Sequence, residues 1–232
     1  MRIGVGTTVN RCTAWIKRLR LLSLLLVGFL PVIQTMEAQS ADPWLIVPSG
    51  EGSVISSHTT RKDLVQAYGT ANVVDQDVDV GEGETQPGTV IFPKDPERLI
   101  EILWKDPDKK TLPASAQLSG AKSRWKTAHS ISLGTSLKDL ERLNGRPFKL
   151  AGFGWDYSGT VTSWENGSLA AAFAGGHGRV IIRLDSPTSE SADKDVDQVL
   201  GDRDFPSNHP VMQKLNPTAY QILVMFPASN EN

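Results

Sequence analysis

The four histidines, His58, His129, His177 and His209, are widely separated in the sequence, and no G-x-S-x-G, Walker loop or H-E-x-x-H occurs. Metal or triad chemistry would have to assemble from them in space. His177 lies in Gly175-Gly176-His177-Gly178, a loop able to cradle an anion. No Lys-Ser/Thr comes after it, and the loop joins apparent strands instead of opening a helix, so it reads as a hairpin connection carrying a solvated histidine. Asp75, Asp77 and Asp79 share the D-x-D-x-D spacing of a calcium loop. Val80 stands where that loop needs Gly for its tight turn and Gln86 where it needs Glu, while Val74, Val78 and Val80 alternate with the acids as in a half-buried strand. A strand is expected there. The only cysteine, Cys12, precedes the first apolar run, so the rest of the chain has no disulfide, thiol nucleophile or thiolate metal site.

Aromatic residues form the other candidate set. Ser158-Gly159 and Asn166-Gly167 have the form of two-residue hairpin turns, and two such turns would fix a register. In that register one face collects Phe153, Trp155, Tyr157, Trp164, Leu169 and Phe173, and the other Gly154, Asp156, Val161, Ser163, Ala170 and Ala172. The aromatic face is expected to be core, although Trp155 and Trp164 are also of a kind that stacks a sugar or a peptide. Asp156 falls on the small-residue face, where a partner can come close. The candidate binding residues are therefore Asp156, Trp155, Tyr157, Trp164 and His177. No catalytic set, metal set or cofactor is read from the sequence.

These residues need a scaffold, and the chain shows how one is organised. Ile55–Gly69 (ISSHTTRKDLVQAYG) and Ile131–Gly145 (ISLGTSLKDLERLNG) share seven of fifteen residues without gaps at an offset of 76. In each copy a hydroxyl residue, Thr60 or Ser136, stands three before an aspartate, Asp63 or Asp139, as a capping box requires. Leu137, Leu140 and Leu143 then share a face, as do Leu64, Ala67 and Tyr68, and Gly69 and Gly145 stand where a left-handed cap is wanted. Helices of two turns do not persist alone and must pack on something. Strands are expected over 44–47, 74–80, 89–92, 99–104, 115–119, 179–185 and 220–226, with polar turns between them and a frayed tail over 229–232. The resulting fold class is α+β: two tandem modules, 41–127 and 128–228, each a short helical segment packed on an antiparallel sheet.

The first forty residues differ. Arg11, Lys17, Arg18 and Arg20 precede the apolar run Leu21–Ile33, and Ala38-Gln39-Ser40 offers the small residues of a cleavage site, the pattern of a signal peptide over 1–40. Pro31 interrupts a run already shorter than the about 20 apolar residues of a membrane span, so no stable membrane insertion is expected once the leader is removed; the alternative is an uncleaved amino-terminal anchor. Its removal takes away five basic residues and one acidic one, leaving 19 Lys and Arg against 25 Asp and Glu, a net charge of −6. No basic cluster remains to displace counterions from phosphates, so nucleic acid is not an expected partner. Export without disulfides favours a periplasmic or secreted location in a bacterium.

The short capped helix, glycine and antiparallel meander in tandem resemble the fold shared by the tandem-repeat beta-lactamase inhibitor proteins and the SmpA/OmlA-type lipoproteins of outer-membrane assembly. Gly134-Thr135, Leu140 and Gly145-x-Pro147 match the outline of that family's motif, with Gly and Thr adjacent here. The blocks NGRPF (144–148) and GFGWDYSGTVTSW (152–164) also look like a signature of uncharacterised exported bacterial proteins. The chain lacks the lipid-attachment cysteine of the lipoproteins and the disulfide cysteines of the inhibitors. The resemblance implies a fold whose members bind proteins. The function expected is thus a non-enzymatic exported protein that binds a protein or other envelope component through a sheet face or inter-module groove. The alternative is a carboxylate-dependent hydrolase or carbohydrate-binding protein using Asp156.

Overall fold

The computed structural model describes residues 41–174, 178–185 and 196–227. The signal peptide read over 1–40, His177 and the tail 229–232 fall outside them. The fold is α+β and its main sheet is antiparallel. Six strands, β3 (Val73–Gly81), β4 (Glu84–Ile91), β5 (Ile100–Asp106), β6 (Thr111–Ser119), β9 (Arg179–Leu184) and β11 (Ala219–Met225), make one sheet in the order β3-β4-β5-β6-β11-β9. β1 (Asp42–Ile46) pairs in parallel with β2 (Ser53–Ile55), and β10 (Asp204–Pro206), β7 (Lys149–Ala151) and β8 (Val161–Ser163) form a three-stranded sheet. Four α-helices are present among the described residues: α1 (Arg61–Tyr68), α2 (Leu137–Asn144), α3 (Ser168–Ala174) and α4 (Pro210–Leu215). No described helix is long and apolar enough to cross a membrane.

The two sequence copies fold alike, down to individual hydrogen bonds. The Ser56 amide donates to Thr59 Oγ1 at 2.8 Å, and the Ser132 amide to Thr135 Oγ1 at 3.1 Å. These tight turns deliver Thr60 and Ser136 as N-caps, whose hydroxyls accept from the Asp63 and Asp139 amides. Leu64 and Leu140 are fully buried. The N-cap residues form isolated bridges, Thr60 to Thr111 at the start of β6 and Ser136 to Thr218 just before β11. Three expectations need correcting. The reciprocal carboxylate bond closes only in the first copy, Asp63 Oδ2 accepting from the Thr60 amide at 2.8 Å; in the second, Arg142 draws on Asp139 from 3.2 Å. Gly145 is left-handed (φ 72, ψ 4), whereas Gly69 has φ 86 with an extended ψ of 145, because the chain runs straight into a 3₁₀ turn and β3. Ala67 is exposed, and Leu64 and Tyr68 are the buried anchors of α1.

The inner face of the six-stranded sheet carries Val73, Ile100, Ile102, Leu118, Ile222, Val224, Val180 and Ile182, all buried in one continuous core with both repeat helices. Burial of such side chains is worth about 1.5–3 kcal/mol each before chain entropy is set against it. Trp125 is fully buried at the centre of an aromatic group, 5.3 Å from Trp44 and 5.7 Å from Tyr68, with its indole N–H donating to the Arg98 carbonyl at 2.7 Å.

The meander expected over 153–173 is not formed. β7 and β8 do pair, but with Leu150 opposite Val161, and residues 152–159 leave the sheet as a loop. The turn at Ser158-Gly159 exists, closed by the Thr160 amide on the Tyr157 carbonyl at 3.0 Å, yet it lies inside that loop and closes no hairpin there. At the second turn the left-handed pair is Glu165 (φ 50) and Asn166 (φ 58), one residue earlier than the sequence suggests, and the Gly167 amide closes it on the Trp164 carbonyl at 2.9 Å. The next element is helix α3, in place of the expected strand through Leu169 and Phe173. The run Leu169-Ala170-Ala171-Ala172-Phe173 carries the best helix former three times, and Leu169 and Phe173, four apart, are both buried.

Candidate functional site

The outer face of the six-stranded sheet is concave. β3 and β9 stand at opposite ends of the strand order, five spacings or roughly 24 Å apart in a flat sheet. Asp79, Val80 and Gly81 of β3 nevertheless line one pocket of about 300 Å³ together with Ile181 and Arg183 of β9. The sheet therefore curls into a trough. Its cause is local: β4 pairs with β5 only over Gly88–Ile91, so the far half of the β3–β4 hairpin overhangs and folds toward β11 and β9. Gly88 permits the bend, since a Cβ there would strike the Val78 side chain and the Ile102 carbonyl oxygen. Gln117 of β6 and Gln221 and Leu223 of β11 make the floor.

Charge in the trough is unbalanced. Glu101 of β5 lies beside Gln117, whose amide donates to its carboxylate at 3.3 Å, and forms no ion pair among the described residues. Burial on the sheet face pushes the Glu101 carboxyl above its ordinary range, Asp79 pushes the same way, and the Gln117 bond only partly offsets them. Arg183 also lacks an ion-pair partner among the described residues. The cavity of about 370 Å³ around Asp75 and Lys110 differs: there burial of Asp75 is outweighed by bonds from Arg61, Thr89 and Lys110, and its carboxyl stays low. Those charges serve the fold. A third cavity of about 410 Å³, between β1 and α3, is mostly apolar, with Glu51 its only charged lining residue.

The Glu101 shift gives a signed expectation. Its folded value is raised, so ionisation opposes folding above the unfolded value near 4.5 and does not below it. Glu101→Gln is expected to raise the thermal midpoint at pH 7 and to leave it unchanged at about pH 3.5, below that unfolded value. Scanning calorimetry at the two pH values checks this, and a gain in acid as large as at neutral pH would sink it.

The residues singled out in the sequence scatter. Trp164 is buried, 5.1 Å from Phe148 and 5.5 Å from Phe173, and is core. Phe153, Leu169 and Phe173 are core as well. Trp155 and Tyr157 are not, being 61% and 67% exposed in the 152–159 loop, because the chain leaves the sheet before it reaches them. Asp156 is exposed between them, and the small-residue sheet face expected around it is not formed. Among the described residues no group of three His, Cys, Asp or Glu is placed to hold a metal ion. His209 instead caps α4, its ring nitrogen accepting from the Val211 amide at 3.3 Å. Sequence reading missed Glu101 and Arg183. A signal was present: each is an ionisable residue inside an apolar strand, in LIEILW and RVIIRL.

The aromatic loop and the trough meet at β9. Thr160 bridges to Arg183, and the Leu184 amide donates to the Gly159 carbonyl at 2.9 Å. The arrangement offers recognition by shape and charge: a curled floor of glutamines and aliphatics with an acid toward one end and a guanidinium toward the other. No protein-family model, curated protein or solved structure matches this chain.

Proposed function

We propose that the chain is an exported, non-enzymatic binding protein of two related modules, 41–127 and 128–228, which takes a segment of another envelope protein into the concave outer face of the sheet. The observation that carries this reading is the trough itself, where Arg183 in the lining and Glu101 beside the lining residue Gln117 are half-buried and form no ion pair among the described residues. Unpaired charge at such positions costs stability and is retained where a partner completes it. Glu101 and Arg183 lie on strands three spacings apart, about 14 Å in a flat sheet and less across the curl. An extended segment with a basic and an acidic side chain about four residues apart spans that distance.

The two-module reading draws support from the pairing pattern. Ile102 pairs with Ala116 as Ile182 pairs with Ile222, and Ala116 opposite Val224 is mirrored by Leu118 opposite Ile222, about the pair Gln117 and Leu223. The modules thus share one sheet, and the trough crosses their junction. Glu101 comes from the first and Arg183, on the strand equivalent to β5, from the second. The halves of the site have opposite charge, as a polar, oriented ligand requires.

Affinity capture from a bacterial envelope extract tests the reading. A protein retained by the parent chain and by Lys62→Glu, on the exposed side of α1, is expected to be lost with Arg183→Glu and with Glu101→Lys. Retention undiminished by both trough variants, or reduced equally by the α1 control, counts against the trough as the site.

A further inference from the structure

Trp155 and Tyr157 are the most exposed large hydrophobic side chains among the described residues, and the backbone that carries them is held at many points. The Ser158 amide closes a turn on the Trp155 carbonyl at 2.9 Å, and the Thr160 amide closes the next on the Tyr157 carbonyl. Before the turns, the Phe153 amide donates to the Val199 carbonyl at 2.9 Å and the Gly201 amide to the Phe153 carbonyl at 3.1 Å, with the Phe153 ring fully buried as a peg. Behind them, Gly159 (φ 67) presses on β9 so closely that a Cβ would collide with the Leu184 carbonyl oxygen. Gly152 meets the Gly201 carbonyl in the same way. Both ends of the loop are clamped while its two aromatics face solvent. Rigid presentation of Trp and Tyr removes most of the ordering entropy of binding, and these residues are the common anchors of protein interfaces.

The surroundings select the partner. Asp156 comes between Trp155 and Tyr157 in the chain and is exposed, and the segment hydrogen-bonded alongside Gly152 and Phe153 exposes Leu200 (38%), Asp202 and Asp204. None of the three carboxylates forms an ion pair among the described residues. The one basic residue of that segment, Arg203, stacks its guanidinium on Phe205 at 4.6 Å. Exposed carboxylates on the loop and on the segment bonded to its base act with the negative faces of two aromatic rings to attract a cation, and Leu200, against Gly154 of the loop, gives an apolar shoulder. We infer that the Trp155–Tyr157 loop docks a basic, partly apolar protein segment, a lysine or arginine lying over the rings and an aliphatic neighbour against Leu200. This surface adjoins the trough at β9, but none of its recognition residues lines the trough. The net charge of −6 over residues 41–232 steers such a partner inward.

The test uses the purified protein and labelled hexapeptides read by fluorescence anisotropy. The probe is acetyl-Leu-Lys-Leu-Lys-Leu-Lys-amide, its glutamate counterpart is the control, and chitohexaose, followed by calorimetry, is the neutral glycan arm. Binding of the lysine peptide but not the glutamate peptide is expected. It should weaken at least about tenfold in Trp155→Ala/Tyr157→Ala and measurably in Asp156→Asn/Asp202→Asn, with thermal midpoints unchanged because these side chains are exposed. Arg183→Glu should not weaken it, which separates this surface from the trough. Undiminished peptide binding by the Trp155/Tyr157 double variant shows that the attraction is net charge alone and overturns the inference. So does no binding, or a loss on that variant confined to chitohexaose.

Discussion

Asn144→Ala is expected to cost about 3–4 kcal/mol of stability and to lower the thermal midpoint by about 10 °C. Asn144 ends α2 and is 1% exposed. Its Nδ2 donates to the Arg146 carbonyl at 2.9 Å and the Trp164 carbonyl at 3.0 Å, and its Oδ1 accepts from the Leu169 amide at 3.2 Å. One side chain thus satisfies the chain after α2, the turn before α3 and an orphan amide of the α3 first turn. Alanine takes the side-chain partner from the Arg146 carbonyl and the Leu169 amide, leaves the Trp164 carbonyl with the Gly167 amide alone, and opens a void. Gly167 is the second half of the device, since a Cβ there would collide with the Asn144 amide. Gly167→Ala should therefore also destabilise strongly. The double variant should fall short of the summed losses by about 1–2 kcal/mol, because the added methyl occupies space the amide vacated. Chemical denaturation of the four proteins of this cycle decides it, and strict additivity would show that the contact is not what makes Gly167 necessary.

Leu64→Ala and Leu140→Ala are expected to cost about 3 kcal/mol each and to match within about 1 kcal/mol. Both leucines are fully buried, both sit one turn into a helix capped by the same hydroxyl-aspartate arrangement, and both helices join one core. Leu143, only partly buried, should cost clearly less. Because the core is continuous, each substitution should move a single urea transition without changing its slope. A biphasic transition, in which one substitution moves only one phase, would mean that the two halves unfold separately. A loss under about 0.5 kcal/mol for either leucine would put its effect in the range of an ordinary surface change and mean that its helix carries no weight in the fold.

Much of this architecture is legible in the residues. Thr60/Asp63 and Ser136/Asp139 mark helix starts because a short oxygen acceptor meets orphan amides within three residues, a local matter. The strands from Val73 to Ser119 are set by alternation and by the turn residues between them. The 152–174 stretch misleads because its cues are each true and jointly ambiguous: Ser158-Gly159 does turn, 165–167 does turn, and the aromatics between them suit either a sheet or a loop.

The sequence by itself determined the repeated capped helices, their buried leucines and most of the large sheet, since each depends on neighbours within a few residues. Only the tertiary structure decided what became of the aromatics and where charge is left over. Asn144 reaches 20 residues to Trp164 and 25 to Leu169 and so directs the chain into α3. Val199 and Gly201 hold Phe153 and so push Trp155 and Tyr157 into solvent. The trough joins β3 to β9, about a hundred residues apart, by curvature accumulated over six strands. Contacts at that separation leave no periodic mark in a single sequence, because each residue satisfies its local pattern equally well in either arrangement.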